Sequence, residues 1–148
     1  MRLPTKPRYG LRTMLDIAAN QGEGEPVLMR DIAGRQGISE KYLEHVVNSL
    51  RNAGLLRSVR GPRGGYLLAR PAESISLLDI YEATDGRVLS AECLQDEAAC
   101  GRATACAARQ AWEGLYEVMR EYLQKMTLRE LLERQAELQA AGAPMYYI

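Results

Sequence analysis

The sequence predicts a mainly α-helical fold that contains one short β-hairpin. Three observations support this fold class. Apolar residues recur at helical spacing in several segments, two short helical segments flank a glycine turn, and two strand-like segments flank a glycine-rich loop. The chain has 148 residues, of which 47% are hydrophobic and 26% are charged. This composition is typical of a folded globular chain and excludes a disordered or collagen-like one.

The first predicted helix spans residues 9–19. Its apolar face consists of Leu11, Met14, Leu15 and Ala18. Turn residues in the segment 20–26 end this helix, and the apolar run 27–29 predicts an extended entry to the next element.

A helix-turn-helix follows. Residues 30–36 predict a short helix, and Gly37 lies where the turn requires a positive φ. Ser39 can cap a second helix over residues 40–52. The apolar face of this second helix consists of Leu43, Val46, Val47 and Leu50. Two helices joined in this way are typical of a DNA-binding helix-turn-helix, with the second as the recognition helix.

A β-hairpin is predicted directly after the recognition helix. Residues 55–60 and 66–70 form its strands, and the loop 61–65 between them contains three glycines. A hairpin in this position is the wing of a winged helix-turn-helix. We therefore expect a DNA-binding unit over residues 1–72.

The second half, residues 73–148, is predicted to hold a cysteine loop and dimerisation helices that pack with the first half as one compact chain. Ser76 and Asp79 form a capping box at the start of a short helix, and residues 87–103 are expected to be a loop. A long helix follows over about residues 105–125, with an apolar face of Trp112, Leu115, Tyr116, Met119 and Leu123. Thr127 and Glu130 begin a last helix that runs to about residue 140, before an apolar and aromatic tail.

Charge is segregated between these halves. Residues 1–72 carry 12 Lys and Arg against 6 Asp and Glu, whereas residues 73–148 carry 7 against 13. An excess of +6 in the first half indicates an anionic partner for that half, although chance segregation of surface charge is the alternative. Double-stranded operator DNA is the partner that the helix-turn-helix predicts.

The polar face of the recognition helix supplies the candidates for reading bases, which are Lys41, Glu44, His45 and Asn48. Arginines near and within the wing are the candidates for phosphate contacts, namely Arg51, Arg57, Arg60 and Arg63. Arg63, at the wing tip, is also the candidate for entering a narrow minor groove. The alternative is an ordinary solvated helix face. The sequence has one histidine and no nucleophile, dinucleotide or P-loop pattern, so we expect no enzyme activity.

Three cysteines lie within 14 residues, at Cys93, Cys100 and Cys106. Their spacing is too wide for a zinc knuckle, and no histidine lies nearby. Soft thiolates on a loop favour an iron–sulfur cluster. A thiol redox switch or another metal, and three unreactive cysteines, are the alternatives.

Several motifs of the sequence resemble those of the Rrf family of bacterial winged-helix transcription regulators, which includes the IscR, NsrR and CymR groups. The resemblance is carried by the motif that joins Ser39, Tyr42 and Glu44, by the segment Leu50–Leu55, by the wing Val59–Leu67, by the three cysteines and by Trp112. It covers nearly the whole chain and is closest in pattern to the IscR group. It implies a homodimeric repressor-type regulator in which Ser39 and Tyr42 belong to the DNA-binding set.

The resemblance also implies that the three cysteines hold a 2Fe–2S cluster. The IscR group has a histidine ligand three residues after the third cysteine, where this chain has Arg109. The NsrR group has an aspartate near position 8, where this chain has Arg8. The fourth ligand is therefore open among Glu92, Asp96, Glu97, an exogenous thiol and water.

Three hypotheses about function follow from the sequence. The first is a regulator of iron–sulfur cluster or sulfur and cysteine metabolism genes, controlled by the cluster. The second is a cluster-free regulator like the CymR group, which senses through thiols or a partner protein; the tail 145–148 resembles that group. The third, from another class, is a cluster-carrying redox or scaffold protein that does not bind DNA. No signal peptide or membrane span is predicted, so we expect a cytoplasmic protein with no membrane partner.

Overall fold

The computed structural model of the chain describes residues 3–88 and 91–142. Its elements in chain order are α1 (Thr5–Asn20), α2 (Met29–Gln36), α3 (Glu40–Asn52), β1 (Leu56–Val59), β2 (Gly65–Leu68), α4 (Leu77–Asp85), α5 (Glu92–Gln95), α6 (Ala107–Lys125) and α7 (Leu128–Gly142). Single 3₁₀ turns lie at Ala72–Ser74, Glu97–Ala99 and Ala103–Ala105. This is the mainly α-helical fold with a small antiparallel hairpin that the sequence predicts.

Helix α1 begins at Thr5, earlier than the predicted residue 9, because a proline at position 7 is compatible with a first helical turn. The helix packs closely along α4. A Cβ on Gly10 would lie 2.8 Å from Cγ2 of Thr84, so a glycine is needed where the two helices meet.

One hydrophobic core joins the two halves of the chain. Ile75 and Ile80 from the α4 region, and Leu128 from the start of α7, are fully buried in the same cluster as the inner residues of α1, α2 and α3. The winged helix-turn-helix is therefore packed against α4 and α7 over a shared apolar interior.

A short backbone connection fixes the start of α7 beside the start of α4. The amide of Leu77 donates to the carbonyl of Met126 at 2.8 Å, and the amide of Leu128 donates to the carbonyl of Ile75 at 2.8 Å. Both helices begin with the predicted capping boxes. The Ser76 hydroxyl accepts from the amide of Asp79 at 3.0 Å, and the Glu130 carboxylate accepts from the amide of Thr127 at 2.8 Å.

The predicted loop over residues 87–103 was wrong in part. The segment forms one turn of α-helix, α5, and 3₁₀ turns on either side of Cys100. These turns are too short to produce a periodic apolar pattern, which is why the sequence did not indicate them. The predicted apolar tail 143–148 lies outside the described residues. Among the described residues, no helix is both long and apolar enough to cross a membrane.

Candidate DNA interface and cysteine loop

The turn between α2 and α3 has the predicted geometry. Gly37 ends α2 with φ 64° and ψ 37°, a left-handed conformation that favours glycine. Ile38 follows and is buried, which anchors the turn in the core. The hydroxyl of Ser39 then accepts from the amide of Tyr42 at 3.3 Å, so the side chain caps α3 as expected.

Helix α3 has one buried face and one exposed face. Leu43, Val46, Val47 and Leu50 are completely buried, as predicted. On the opposite face Lys41, Glu44, His45 and Arg51 are exposed, whereas Asn48 is half-buried. A helix held along one face by four core side chains presents the other face as a rigid surface of donors and acceptors.

Tyr42 connects the start of α3 to α1. Its ring meets the ring of Tyr9 edge-on, with centroids 5.6 Å apart and an interplanar angle of 75°. The guanidinium carbons of Arg8 and Arg12 lie 5.5 and 5.3 Å from the centre of the Tyr9 ring. Tyr42 therefore has a packing role at the edge of the candidate interface, in addition to its predicted place in the DNA-binding set.

The wing is a short hairpin fixed at its base. β1 and β2 are antiparallel, with Leu56 opposite Leu68 and Val59 opposite Gly65. Val27, in the predicted extended entry, pairs with Tyr66 through two backbone hydrogen bonds of 2.9 Å. The side-chain oxygen of Gln21 also accepts from the amide of Leu68 at 2.9 Å.

Two glycines are required by close backbone approach in the wing. A Cβ on Gly64 would lie 2.3 Å from the carbonyl oxygen of Val59, and one on Gly65 would lie 2.3 Å from that of Val27. The tip beyond them carries Arg60 and Arg63, both exposed. The hairpin thus extends two guanidinium groups from a base that is tied to the core.

An ion pair between a buried carboxylate and an exposed arginine, which the sequence did not indicate, fixes α2 on α1. The Asp16 side chain is 2% exposed, and Arg35 donates to it from Nε at 3.0 Å and from Nη2 at 2.7 Å. The Gln36 amide donates to the same carboxylate at 2.8 Å. Hydrogen bonding to Asp16 raises the pKa of the Arg35 guanidinium, so this group stays charged. The only sequence signal was an acidic residue on the otherwise apolar side of α1.

The three cysteines lie in the segment between α4 and α6. Cys93 is in α5, Cys100 follows the turn Glu97–Ala99, and Cys106 is the N-cap of α6. All three are free thiols and half-buried. Within the described residues, no three of the cysteine, histidine, aspartate and glutamate side chains are grouped so that they could hold a metal ion.

Arg109 connects this segment to the first turn of α6. Its Nε donates to the backbone carbonyl of Cys93 at 2.8 Å, and its Nη1 lies 3.0 Å from Oε1 of Glu97. The Arg109 side chain is 13% exposed. A second arginine, Arg87, lies with its guanidinium carbon 5.2 Å from the centre of the Tyr116 ring on α6.

Two of the three acidic residues considered as fourth ligands have local partners. The carboxylate of Asp96 accepts from the amide of Ala98 at 2.9 Å and caps the adjacent turn. Glu97 pairs with Arg109, and Glu92 is exposed at the start of α5. The first two carboxylates would have to give up these bonds in order to bind a metal.

Helix α6 has no buried residue in the monomer. Tyr116, Met119 and Leu123 are half-buried and face the rest of the chain. Large apolar side chains remain exposed on the helix, namely Trp112 (54%), Leu115 (36%), Val118 (67%) and Tyr122 (62%). The predicted apolar face therefore divides into an inner and an outer set. Val118 and Tyr122 were missed, although with Leu115 they follow the i, i+3, i+7 spacing.

The fold and the site together define a winged helix-turn-helix transcription regulator that binds DNA. Residues 3–134 match the Rrf2 family, described as an iron-dependent transcriptional regulator. The HTH-type transcriptional regulator IscR of Klebsiella pneumoniae (strain 342) is 42% identical over 142 residues, which cover 96% of this chain and 86% of the relative. The chain belongs to the Rrf2 family.

Solved structures agree with this assignment. The IscR structure of T. potens superposes with a TM-score of 0.77 at 37% identity, covering 99% of this chain and 97% of that one. CymR, the global cysteine regulator of B. subtilis, superposes with a TM-score of 0.73 at 36% identity, covering 90% and 98%. The predicted family and winged-helix fold are confirmed. These relatives are regulators rather than enzymes, which also confirms that expectation.

Proposed function

We propose that this regulator binds operator DNA as a homodimer, through α3 and the wing, and that an iron–sulfur cluster on the cysteine loop modulates the binding. The observation that carries the proposal is the outer face of α3. Lys41, Glu44 and His45 are exposed on a helix whose opposite face is completely buried. Such a face matches the needs of a recognition helix in a major groove.

The candidate residues divide into those that read bases and those that hold phosphates. On the face of α3, Glu44 can accept from a cytosine amino group, and the amide of Asn48 can pair with adenine. Arg51, Arg60 and Arg63 are exposed around this face and at the wing tip, where they would contact phosphates or enter a narrow minor groove. Ser39 and Tyr42 would contribute at the start of the helix, while also serving as cap and packing residue.

The dimer is proposed to form through α6. Its outer residues Leu115, Val118 and Tyr122 are exposed and spaced as one stripe, and Trp112 adds to this apolar surface. A stripe of this kind is costly in water and is covered in a helix pair. A two-fold dimer would present two recognition helices to a roughly palindromic operator.

The cysteine loop fits an iron–sulfur cluster by its donor chemistry, because Cys93, Cys100 and Cys106 are free, half-buried thiols. These three residues would hold a 2Fe–2S cluster, and the fourth ligand is left open. When bound, the cluster would supply a centre that responds to iron, oxygen or redox state. The regulated genes would be those of iron–sulfur cluster or sulfur and cysteine metabolism.

A cluster-free regulator is the second candidate, and one observation favours it. The cysteines are not grouped as metal ligands within the described residues. Such a protein would respond through its thiols or through a partner protein.

The test uses anaerobically purified full-length protein and a pool of random-sequence duplex DNA. We expect enrichment of one roughly palindromic sequence, salt-dependent binding, and a visible absorption spectrum with bound iron and sulfide. Cys93→Ala, Cys100→Ala and Cys106→Ala should each abolish the spectrum, keep a folded dimer, and shift operator affinity by the same amount as chemical removal of the cluster.

The outcomes separate the candidates. No enriched sequence and no salt dependence would reject DNA binding through α3. Operator binding by all three variants at the affinity of cluster-loaded wild type would reject the cluster as the switch and favour the cluster-free regulator.

A further inference from the structure

One side chain connects the two ends of the cysteine loop. Arg109 lies in the first turn of α6, three residues after Cys106, and its Nε reaches the backbone carbonyl of Cys93 at 2.8 Å. The two residues joined by this bond are 16 positions apart. The guanidinium is shielded from water, with the side chain 13% exposed, and its second arm lies 3.0 Å from the Glu97 carboxylate.

We propose that Arg109 is the positioning residue of the cysteine loop, and that it holds the Cys93 segment against the end of the loop that carries Cys106. Only the purpose of this positioning rests on the proposed function, because thiols that bind one cluster must lie close together. The positioning itself requires no metal and can be measured without one.

The physical reason is the entropy of loop closure. A flexible chain between Cys93 and Cys106 would sample many separations. Each time the two thiols act together, bringing the ends of the chain together would cost conformational entropy. A bond between a charged donor and a carbonyl, formed in a site shielded from water, restricts this sampling. Cys106 is held already through its backbone, because it is the N-cap residue of α6 and its carbonyl accepts from the amide of Gln110 at 3.3 Å. Fixing the Cys93 segment to the first turn of α6 therefore restricts the pair as a whole.

The two arms of Arg109 are not equivalent. Its bond to the Cys93 carbonyl is partly buried, whereas its bond to Glu97 is exposed. Glu97 is 70% exposed, so its ion pair is screened by water. The Cys93 arm should therefore account for most of the positioning.

The experiment measures the effective concentration of one thiol at the other. In a Cys100→Ser background, metal-free protein is equilibrated with glutathione at several ratios of its two forms. Formation of the Cys93–Cys106 disulfide oxidises two thiols and reduces one glutathione disulfide to two glutathione molecules, so the equilibrium gives the effective concentration directly. A Cys93→Ser background reports the Cys100–Cys106 pair, which Arg109 does not bridge, in the same way.

Arg109→Ala should lower the effective concentration of the Cys93–Cys106 pair about tenfold, the effect of losing one hydrogen bond to a charged group. Arg109→Lys should retain most of it, because an ammonium can reach the carbonyl and only the screened contact with Glu97 is lost. Glu97→Gln should change it by less than about twofold. Arg102→Ala, an exposed arginine of the same segment, is the matched control and should have no effect.

Three results would overturn the proposal. The first is an unchanged Cys93–Cys106 equilibrium in Arg109→Ala. The second is an equal loss for both cysteine pairs, which would indicate general loosening of the segment. The third is the absence of any Cys93–Cys106 disulfide in the background protein, which would mean that the segments are held apart. Because no metal is used, none of these results depends on whether a cluster binds.

Discussion

Replacing Arg35 by alanine should destabilise the fold more than replacing Asp16 by asparagine, although both changes break the same ion pair. The two partners differ in their contact with water. The Asp16 side chain is 2% exposed, whereas that of Arg35 is 41% exposed. Arg35→Ala therefore leaves a buried carboxylate with the Gln36 amide as its remaining side-chain donor. Asp16→Asn leaves a guanidinium that can turn into solvent.

The magnitudes follow from this asymmetry. Removing the partner of a buried charge costs about 3–5 kcal/mol. Replacing the carboxylate by an amide of the same shape removes charged hydrogen bonds, and costs about 1–3 kcal/mol after allowance for solvent screening of Arg35. The difference of about 2 kcal/mol corresponds to roughly 4–8 °C in Tm for a chain of this size.

The assay is thermal and urea unfolding of both variants at neutral pH and one fixed protein concentration, since the stability of the proposed dimer would depend on concentration. Arg129→Ala is the control, because its ion pair with Glu133 joins two exposed side chains on one helix and should contribute little. An Asp16→Asn protein that is equally or less stable than Arg35→Ala would refute the reasoning. It would mean that Asp16 does not carry a buried charge that depends on Arg35.

Four further outcomes follow from the candidate interface and the helices. Glu44→Ala should change the bases selected from a random DNA pool, because a carboxylate repels some sequences; an unchanged consensus would exclude Glu44 from base reading. Arg63→Ala should weaken binding to all sequences and reduce the salt slope by about one unit, and an unchanged slope would mean that the wing tip is not on the DNA. Val118→Glu should give a folded monomer by sedimentation, whereas an intact dimer would contradict pairing through α6. The backbone hydrogen bond from Thr127 lowers the pKa of Glu130, so its capping contribution is complete above the ordinary value of 4.5 and is lost as pH falls through the lowered pKa; the hydrogen-exchange protection factors at the start of α7, which correct for the pH dependence of intrinsic exchange, should fall over that range.

Local signals were sufficient to predict the helix-turn-helix. Helix α3 spans the predicted residues 40–52, and the positive φ at Gly37 and the cap at Ser39 are as expected. Each of these features depends on residues within one turn of the chain, where residue type and spacing determine the conformation. The base-reading and phosphate-contact roles of the residues around α3 remain predictions.

Contacts between distant segments could not be predicted in the same way. The bond from Arg35 to Asp16 joins residues 19 positions apart, and that from Arg109 to Cys93 joins residues 16 positions apart. A single arginine in a helix has the same local pattern whether it faces water or a buried carboxylate. The division of α6 into an inner and an outer apolar set likewise depends on where α4 lies, which the helical period of α6 does not contain.

A continuous series of packed elements connects the cysteine loop to the DNA-binding half. A change in the loop would act on DNA binding through these elements. Arg109 and Arg87 connect the segment after α4 to α6, α6 packs on α4, α4 packs on α1, and Asp16 on α1 holds Arg35 of α2. A change in the loop that alters the first of these contacts would act on both ends of the segment. Its effect on DNA binding equals the ratio of operator affinities in the two states of the loop, with a tenfold ratio corresponding to about 1.4 kcal/mol. Because coupling between binding equilibria is reciprocal, operator DNA must change the affinity of the loop for the cluster by the same factor, so the extent of cluster loss at equilibrium should differ with and without operator DNA if the loop is the switch.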